Sequence, residues 1–195
     1  MSRDEKLAQI AANDTESYIT RKQALDDIHD KHLIDFLAEN AKDEWIRLES
    51  AIQSKNKRIL GELARHKNES IRLEASIELG NQEALAEIVI NANDDLSREI
   101  AFNYITDKEQ LRQIAEKSPR EQDRVEAAIR LGDHELCKLL IEELTDSNLL
   151  FRMARFINDY KLIEEISGKV SDTRLKKITG EWLEDLKPGS KNEID

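Results

Sequence analysis

Residues 72–81 read RLEASIELGN, and residues 124–133 read RVEAAIRLGD. The two stretches lie 52 residues apart, which is twice a period of 26. Fainter copies begin at other arginines of the same series: Arg21, Arg47, Arg98 and Arg152. Self-similarity at a fixed spacing of this size is the sequence signature of a repeat array, so the chain is predicted to be built from one recurring unit.

Each unit contains two short apolar stretches with helical spacing. When the repeat arginine is position zero, position +3 is small and position +9 is a turn or cap residue. The +3 residues are Ala24, Ser50, Ala75, Ala101 and Ala127, with Arg155 as the exception in the last copy. The +9 residues are Asp30, Asn56, Asn81, Asp107 and Asp133. Apolar residues recur at i, i+3 and i+4 on both sides of this cap, which predicts a pair of helices in every unit.

The residues between the helices agree with this prediction. Gly80 and Gly132 follow the last apolar residue of a helix, where a left-handed residue is favoured. Polar residues four positions before a repeat arginine can cap the second helix of a unit, namely Asp43, Asn68 and Asp94. In the next unit Ser118, followed by Pro119 and Glu121, is predicted to be the cap.

The predicted fold is all-α: an α-α superhelix, or solenoid, of about six short helix pairs. A lone pair cannot bury its apolar side, whereas stacked neighbours can, and the small +3 residues let adjacent helices approach closely. The array is expected to span 1–187 as a single domain, with a last helix over 171–186 that caps its open end. Pro188 and Gly189 break that helix, so 188–195 is predicted to be a flexible tail.

The composition restricts the class of protein. Charged residues make up 36% of the 195 residues, aromatic residues only 5%, and there are two prolines, which favours helix. The formal charge of −11 repels polyphosphate and so disfavours nucleic acid or an anionic membrane as a partner. No stretch approaches the roughly 20 apolar residues that cross a bilayer. Cys137 is the only cysteine, so no intrachain disulfide can form. A soluble, cytoplasmic protein without a membrane segment is expected.

The recurring pattern resembles the short HEAT-like helical repeats. It consists of Asp or Asn, an arginine four residues later, then alanine and leucine, and finally a cap with a Leu-x-x-[Leu/Ile]-Ala helix. The resemblance covers about 7–158 and implies an α-α superhelix that acts as a binding scaffold. A minority of such proteins are enzymes, including a DNA-glycosylase group and a bilin-lyase-related group. Two departures are the short period, 25 to 28 residues, and Arg120 at the Asp position before Arg124.

The recurring arginines are predicted to form a structural ladder. One arginine per unit places a row along one surface, which a phosphate-binding stripe would also do. The resemblance instead implies that each arginine pairs with the acidic residue one turn earlier and with neighbouring loop carbonyls. Asp43–Arg47 and Asp94–Arg98 have the i, i+4 spacing for such a pair. The ladder residues are Asp43, Arg47, Arg72, Asp94, Arg98 and Arg124.

Positions +2 and +6 of the second helix lie about 40° apart on a helical wheel and are polar in most units. The fourth unit departs from this pattern, with Ile100 and Tyr104 at these positions. They are predicted to anchor a partner. The alternative is a rotated helix that buries them, because Glu99 and Asn103 stand where other units are apolar. The candidate partner-binding residues are Ile100, Tyr104, Glu74, Glu78, Glu126 and Arg130.

The sequence contains no complete catalytic constellation. His29 and His32 lie near several aspartates, but an interhelix turn separates them and no cysteine completes a zinc-like spacing. His134 and Cys137 are i, i+3 neighbours, an arrangement that can lower the pKa of a thiol, yet no third partner accompanies them. The chain is therefore predicted not to be an enzyme and to hold no metal or cofactor.

The predicted function is that of a scaffold that binds a partner protein or peptide, a basic one included, on the concave face of the superhelix. The alternative is a nucleic-acid-binding protein or a DNA-glycosylase-like repeat enzyme. Basic residues in the C-terminal third would be the place for such a contact: Arg152, Arg155, Lys161, Lys169, Arg174, Lys176 and Lys177.

Overall fold

The structure, a computed structural model, describes residues 1–170 and 172–186. Within these ranges it has fourteen α-helices and no β-strand, so the all-α prediction is confirmed. The chain divides into two compact units, the first over Met1–Thr106 and the second from Asp107 onward. That 1–187 forms one domain stays a prediction, and the predicted tail, 188–195, lies outside the described residues.

The first unit contains four helix pairs. We call the first helix of each pair the A helix and the second the B helix. Each B helix packs on its own A helix and on the B helix of the preceding pair, so contacts run between sequence neighbours as in a repeat array. The helices are α1 (Arg3–Ala12), α2 (Tyr18–Asp26), α3 (Lys31–Asn40), α4 (Glu44–Ser54), α5 (Lys57–Leu63), α6 (Glu69–Leu79), α7 (Gln82–Asn91) and α8 (Asp95–Asn103).

The second unit repeats this arrangement with three pairs. The B helices α10, α12 and α14 again pack on one another in order. The described residues thus hold seven pairs rather than the predicted six, because the last two helices form a pair of their own. The helices are α9 (Lys108–Lys117), α10 (Glu121–Leu131), α11 (His134–Glu143), α12 (Ser147–Ile157), α13 (Tyr160–Lys169) and α14 (Thr173–Leu186).

The N-caps of the B helices fix the register of the repeat. They recur every 25 or 26 residues, at Ser17, Asp43, Asn68, Asp94, Arg120, Asp146 and Asp172. Position zero is the fourth residue after each cap, so Leu150 and Lys176 occupy it in the last two pairs. The sixth copy, predicted to begin at Arg152, was therefore two residues out of register. Met153, which is fully buried, takes the +3 position that had been given to Arg155.

In the first unit the apolar core extends from one pair into the next. The +3 residues are buried in every pair, namely Ala24, Ser50, Ala75, Ala101, Ala127, Met153 and Thr179. One apolar cluster joins the second and third pairs, from Ala38 on α3 to Ala75 on α6, with Trp45 packed against it. Removing one pair would expose the apolar face of its neighbour, which is why the pairs depend on one another.

The predicted caps are mostly confirmed. Asp43, Asn68 and Asp94 each accept backbone N–H bonds at the start of a B helix. Four B helices end in a left-handed residue, at Gly80 (φ 63°), Gly132 (φ 69°), Lys55 (φ 58°) and Asn158 (φ 53°). The cap predicted at Ser118 was wrong, because α10 begins at Glu121 and its N-cap is Arg120. The Ser118 hydroxyl instead donates to Asp123 at 3.1 Å.

Candidate partner-binding surface

Two of the ladder arginines, Arg47 and Arg124, bond to the backbone of their own pair in the same way. Arg47 Nε donates to the carbonyl of Ala38, and Arg124 Nε donates to the carbonyl of Ala115, both at 3.2 Å. Each accepting carbonyl lies near the end of an A helix, where carbonyls lack intrahelical partners. The arginine therefore ties its B helix to the end of the preceding A helix.

Asp43 pairs with the arginine of the preceding pair and not with Arg47 as predicted. Its Oδ2 lies 2.9 Å from Nη2 of Arg21, which is buried, while its Oδ1 accepts the amides of Trp45 and Ile46. Burial raises the pKa of Asp43, but the Ile46 amide and the Arg21 guanidinium outweigh this and hold the pKa below its usual value. The i, i+4 pairing was wrong here because the cap geometry turns the carboxylate toward the neighbouring pair.

The remaining ladder residues also make short-range contacts. Arg72 Nη1 donates to the carbonyl of His66 at 2.8 Å. Asp94 accepts from the amide and hydroxyl of Ser97, while Arg98 bonds to Asp95. These arginines serve local packing, which supports the structural interpretation over a phosphate-binding stripe.

The exposed side of the B helices in the first unit carries an apolar stripe on α8. We call positions −2, +2 and +6 of the B helices in Met1–Thr106 the B-helix face. On α8, Leu96 is 63% exposed, Ile100 is half-buried and Tyr104 is 52% exposed. Ser97, Ala101 and Phe102 are the buried residues of this helix, so a rotation that buries Tyr104 does not occur. Leu96 was missed, although its four-residue spacing from Ile100 could have indicated it.

A polar clamp holds Tyr104 at the end of α8. The side chain of Gln82, at the start of α7, donates to the carbonyl of Tyr104 at 3.1 Å and accepts the amide of Thr106 at 2.7 Å. Both backbone groups follow the last turn of α8. The clamp fixes the backbone there and leaves the Tyr104 ring exposed.

Carboxylates occupy the B-helix face next to this stripe. Glu74 and Glu78 lie at +2 and +6 of α6, and Glu49 lies at +2 of α4. Burial, and then the negative charges of Glu49 and Glu78, raise the pKa of Glu74. Oε2 of Glu49 lies 3.5 Å from Nζ of Lys22, whereas neither the Glu74 nor the Glu78 carboxylate forms a hydrogen bond or ion pair with another described residue. Two carboxylates one turn apart are thus left without a counter-charge.

In the second unit the glutamate at the corresponding position has its charge neutralised by arginines. Glu126, at +2 of α10, bonds to Arg130 at +6 of the same helix at 2.9 Å and to Arg152 at +2 of α12. Burial raises the pKa of Glu126, but these two guanidinium groups outweigh it and hold the pKa below its usual value. The six predicted binding residues are therefore divided: Ile100, Tyr104, Glu74 and Glu78 belong to the first unit, Glu126 and Arg130 to the second.

Other titratable groups serve the fold. The amides of His29 and Asp30 donate to Asp4, which ties α1 to the start of α3. Among the residues that the structure describes, no group of His, Cys, Asp and Glu is arranged to hold a metal ion.

Cys137 is packed in the core, and its thiol does not have the lowered pKa that a His–Cys pair at this spacing can produce. Burial raises the pKa of the thiol to about 11, with a further contribution from the charge of Asp133. The His134 ring instead packs edge-on against Phe156, with 5.1 Å between ring centroids. Sequence spacing alone cannot report burial, and burial decides this case.

The fold and this surface define a class: an all-α array of repeated helix pairs that pack on their sequence neighbours. Comparisons with protein-family models, curated proteins and solved structures found no match to the chain. In the described ranges, none of the helices has the length and apolar character to span a membrane.

Proposed function

We propose that the chain is a HEAT-like repeat scaffold and not an enzyme, and that its B-helix face binds a positively charged segment of a partner protein or peptide. One observation supports this most directly. Two carboxylates without a counter-charge, Glu74 and Glu78 on α6, lie next to the exposed apolar stripe on α8. The two features provide different parts of a binding surface.

The apolar stripe supplies the anchor. Binding energy in protein interfaces concentrates in a few aromatic or apolar side chains that lose water on binding. Tyr104 and Leu96 are large and exposed, and Ile100 between them is half-buried. The clamp by Gln82 holds the end of α8 before a partner arrives, which reduces the ordering cost of binding.

The carboxylates supply selectivity for charge. Burial, and then repulsion from Glu49 and Glu78, raise the pKa of Glu74. A basic segment would relieve that repulsion, whereas an acidic segment would add to it. The net charge of −11 also attracts a cationic partner at long range.

Fluorescence anisotropy of the full chain with labelled peptides tests the proposal. The peptides contain arginine, lysine and leucine in varied order, and a matched set has glutamate in place of every basic residue. The basic set is expected to bind and the acidic set is not. Tyr104→Ala and Glu74→Gln are each expected to weaken binding about tenfold, equivalent to about 1.4 kcal/mol.

Matched controls lie on the A helices. Phe36→Ala removes an aromatic ring of similar exposure, 57%, from α3, and Glu87→Gln removes an exposed carboxylate from α7. Neither change is expected to alter the affinity. Equal losses in the control and B-helix variants, or no binding of basic peptides, would overturn the proposal.

The nucleic-acid alternative depends on the second unit, where Arg155, Lys161, Arg174, Lys176 and Lys177 are exposed. A gel-shift titration of duplex and single-stranded DNA at low salt separates the two functions, since phosphate contacts weaken steeply with added salt. We expect no shift. A salt-sensitive shift that is lost in Lys176→Ala and Lys177→Ala would favour the alternative.

A further inference from the structure

We infer that Glu74 and Glu78 form a guanidinium subsite, which takes an arginine of the bound segment while an apolar side chain of that segment packs on Ile100 and Tyr104. This inference rests on the proposed function, which it deepens by naming the side chains that the surface selects. It depends on a comparison between the two units of the chain.

The second unit shows what a carboxylate at position +2 binds. Glu126 holds two guanidinium groups at once, that of Arg130 at +6 of its own helix and that of Arg152 at +2 of the next B helix. Both arginine side chains remain partly exposed. The repeat geometry therefore places a +2 carboxylate where guanidinium groups can bond to it.

The first unit has a carboxylate at the same repeat position, that of Glu74, but no arginine at the two positions around it. Around Glu74, position +6 of the same helix is Glu78, and position +2 of the next B helix is Ile100. The two positions that neutralise Glu126 are thus occupied by a second carboxylate and by an apolar side chain. A guanidinium from outside the chain would restore the bonding seen at Glu126.

The fit favours arginine over lysine. A guanidinium is planar and carries five N–H donors, so one group can bond to two carboxylates one helical turn apart. A lysine ammonium is a compact, strongly hydrated charge that gains less from this arrangement. The surface should therefore discriminate between two side chains of equal charge.

The helix spacing predicts the spacing of the ligand. Adjacent packed helices lie about 8–10 Å apart, and α6 packs on α8. A peptide in the polyproline II conformation rises about 3.1 Å per residue with three residues per turn, so side chains three positions apart lie on the same side, about 9 Å apart, and can reach α6 and α8 together. The expected ligand pattern is arginine and an apolar residue three positions apart, in either order.

Anisotropy titrations of the full chain with four labelled peptides test this inference. The first has arginine and leucine three positions apart, the second has lysine for arginine, the third has citrulline for arginine, and the fourth has leucine next to arginine. The first is expected to bind about five- to tenfold more tightly than the second and fourth, and the third is expected to show no measurable binding.

Variants assign the discrimination to the subsite. Glu74→Gln is expected to reduce the difference between the arginine and lysine peptides to less than twofold, whereas Glu87→Gln on α7 leaves it unchanged. In the second unit the +6 residue, Arg130, bonds to Glu126. Glu78→Arg places an arginine at +6 of α6, where it can bond to Glu74 in the same way, so this variant is expected to abolish binding of the arginine peptide. Circular dichroism of each variant confirms that the helices are intact.

The outcomes separate this inference from the proposed function. Equal affinity for arginine and lysine peptides, with both lost in Tyr104→Ala, would overturn the guanidinium subsite and leave the scaffold function standing. A preference for arginine that persists in Glu74→Gln would also overturn the subsite. If no basic peptide binds at all, both fail.

Discussion

Asp43 links two helix pairs, since its Oδ2 lies 2.9 Å from Nη2 of the buried Arg21, 22 residues earlier in the chain. The other oxygen of the same carboxylate caps α4 through the amides of Trp45 and Ile46. One side chain thus caps a helix and pairs with a buried guanidinium.

Asp43→Ala is therefore expected to lower the free energy of unfolding by about 2–4 kcal/mol, because it removes a cap and leaves Arg21 buried without its partner. Urea denaturation at pH 7 measures the loss. Asp30→Ala is the control, since Asp30 caps α3 at His32 without an ion pair and should cost only about 1 kcal/mol. Equal losses in the two variants would show that the Arg21 contact contributes nothing.

The register of the last pairs gives a second prediction. Leu150 is buried at position zero of α12, whereas Arg152 is exposed at +2 and pairs with Glu126. Leu150→Ala is expected to cost about 2–4 kcal/mol of unfolding free energy and Arg152→Ala less than about 1 kcal/mol. Denaturant titration of the two variants checks this, and the reverse order would contradict the structural register.

Two glutamates at the same repeat position should affect stability with opposite sign. The pKa of Glu74 is raised in the folded protein, so its contribution to stability is present below the unfolded pKa, about 4.3, and is lost as the pH rises through the folded value. Glu74→Gln is thus expected to stabilise the protein at pH 7 by a few tenths of a kcal/mol, because exposed charges are well screened. This gain should disappear when the pH falls below about 4.

Glu126 shows the opposite sign, because the pKa of this group is lowered in the folded protein. Its contribution is present above the unfolded pKa and is lost as the pH falls through the folded value. Glu126→Gln is expected to destabilise the protein at pH 7 by about 0.5–1 kcal/mol, with the difference vanishing on acidification. Thermal melts of both variants from pH 3 to 8 test the pair, and shifts of the same sign at pH 7 would contradict the assigned environments.

Cys137 should be chemically inert in the folded protein. It is fully buried on α11 and the pKa of its thiol is raised to about 11, so little thiolate forms at pH 8. Labelling by a chromogenic disulfide reagent is expected to be at least about 100-fold slower in buffer than in denaturant, because thiolate is the reacting species. Fast labelling under native conditions would show that the α11–α12 region opens readily.

Much of the fold was predictable because small residues and helix N-cap residues recur at fixed positions of the repeat. The alanines at +3 and the caps at Asp43, Asn68 and Asp94 are local signals that depend on helix geometry alone. The register failed at Arg152 because no arginine occupies position zero there. Leu150 occupies that position and is buried there. In a helix rich in apolar residues, a leucine does not identify position zero of the repeat.

The surface was harder to predict because it depends on contacts between pairs. Polar residues at +2 and +6 were visible in the sequence, but which carboxylates are neutralised was not. Glu126 and Glu74 occupy the same repeat position, but their pKa values are shifted in opposite directions. Burial raises both, and two guanidinium groups outweigh this at Glu126, whereas two further carboxylates add to it at Glu74. The Asp43–Arg21 pair was missed for the same reason, since local spacing favoured Arg47.

Residue-resolved NMR of the full chain, titrated with the peptide that has arginine and leucine three positions apart, tests binding at the B-helix face most directly. We predict that amide shifts concentrate on α6 and α8, around Glu74, Glu78, Ile100 and Tyr104, with little change on the A helices α5 and α7. Shifts confined to the A helices or to the second unit, or no shifts at millimolar peptide, would contradict the account.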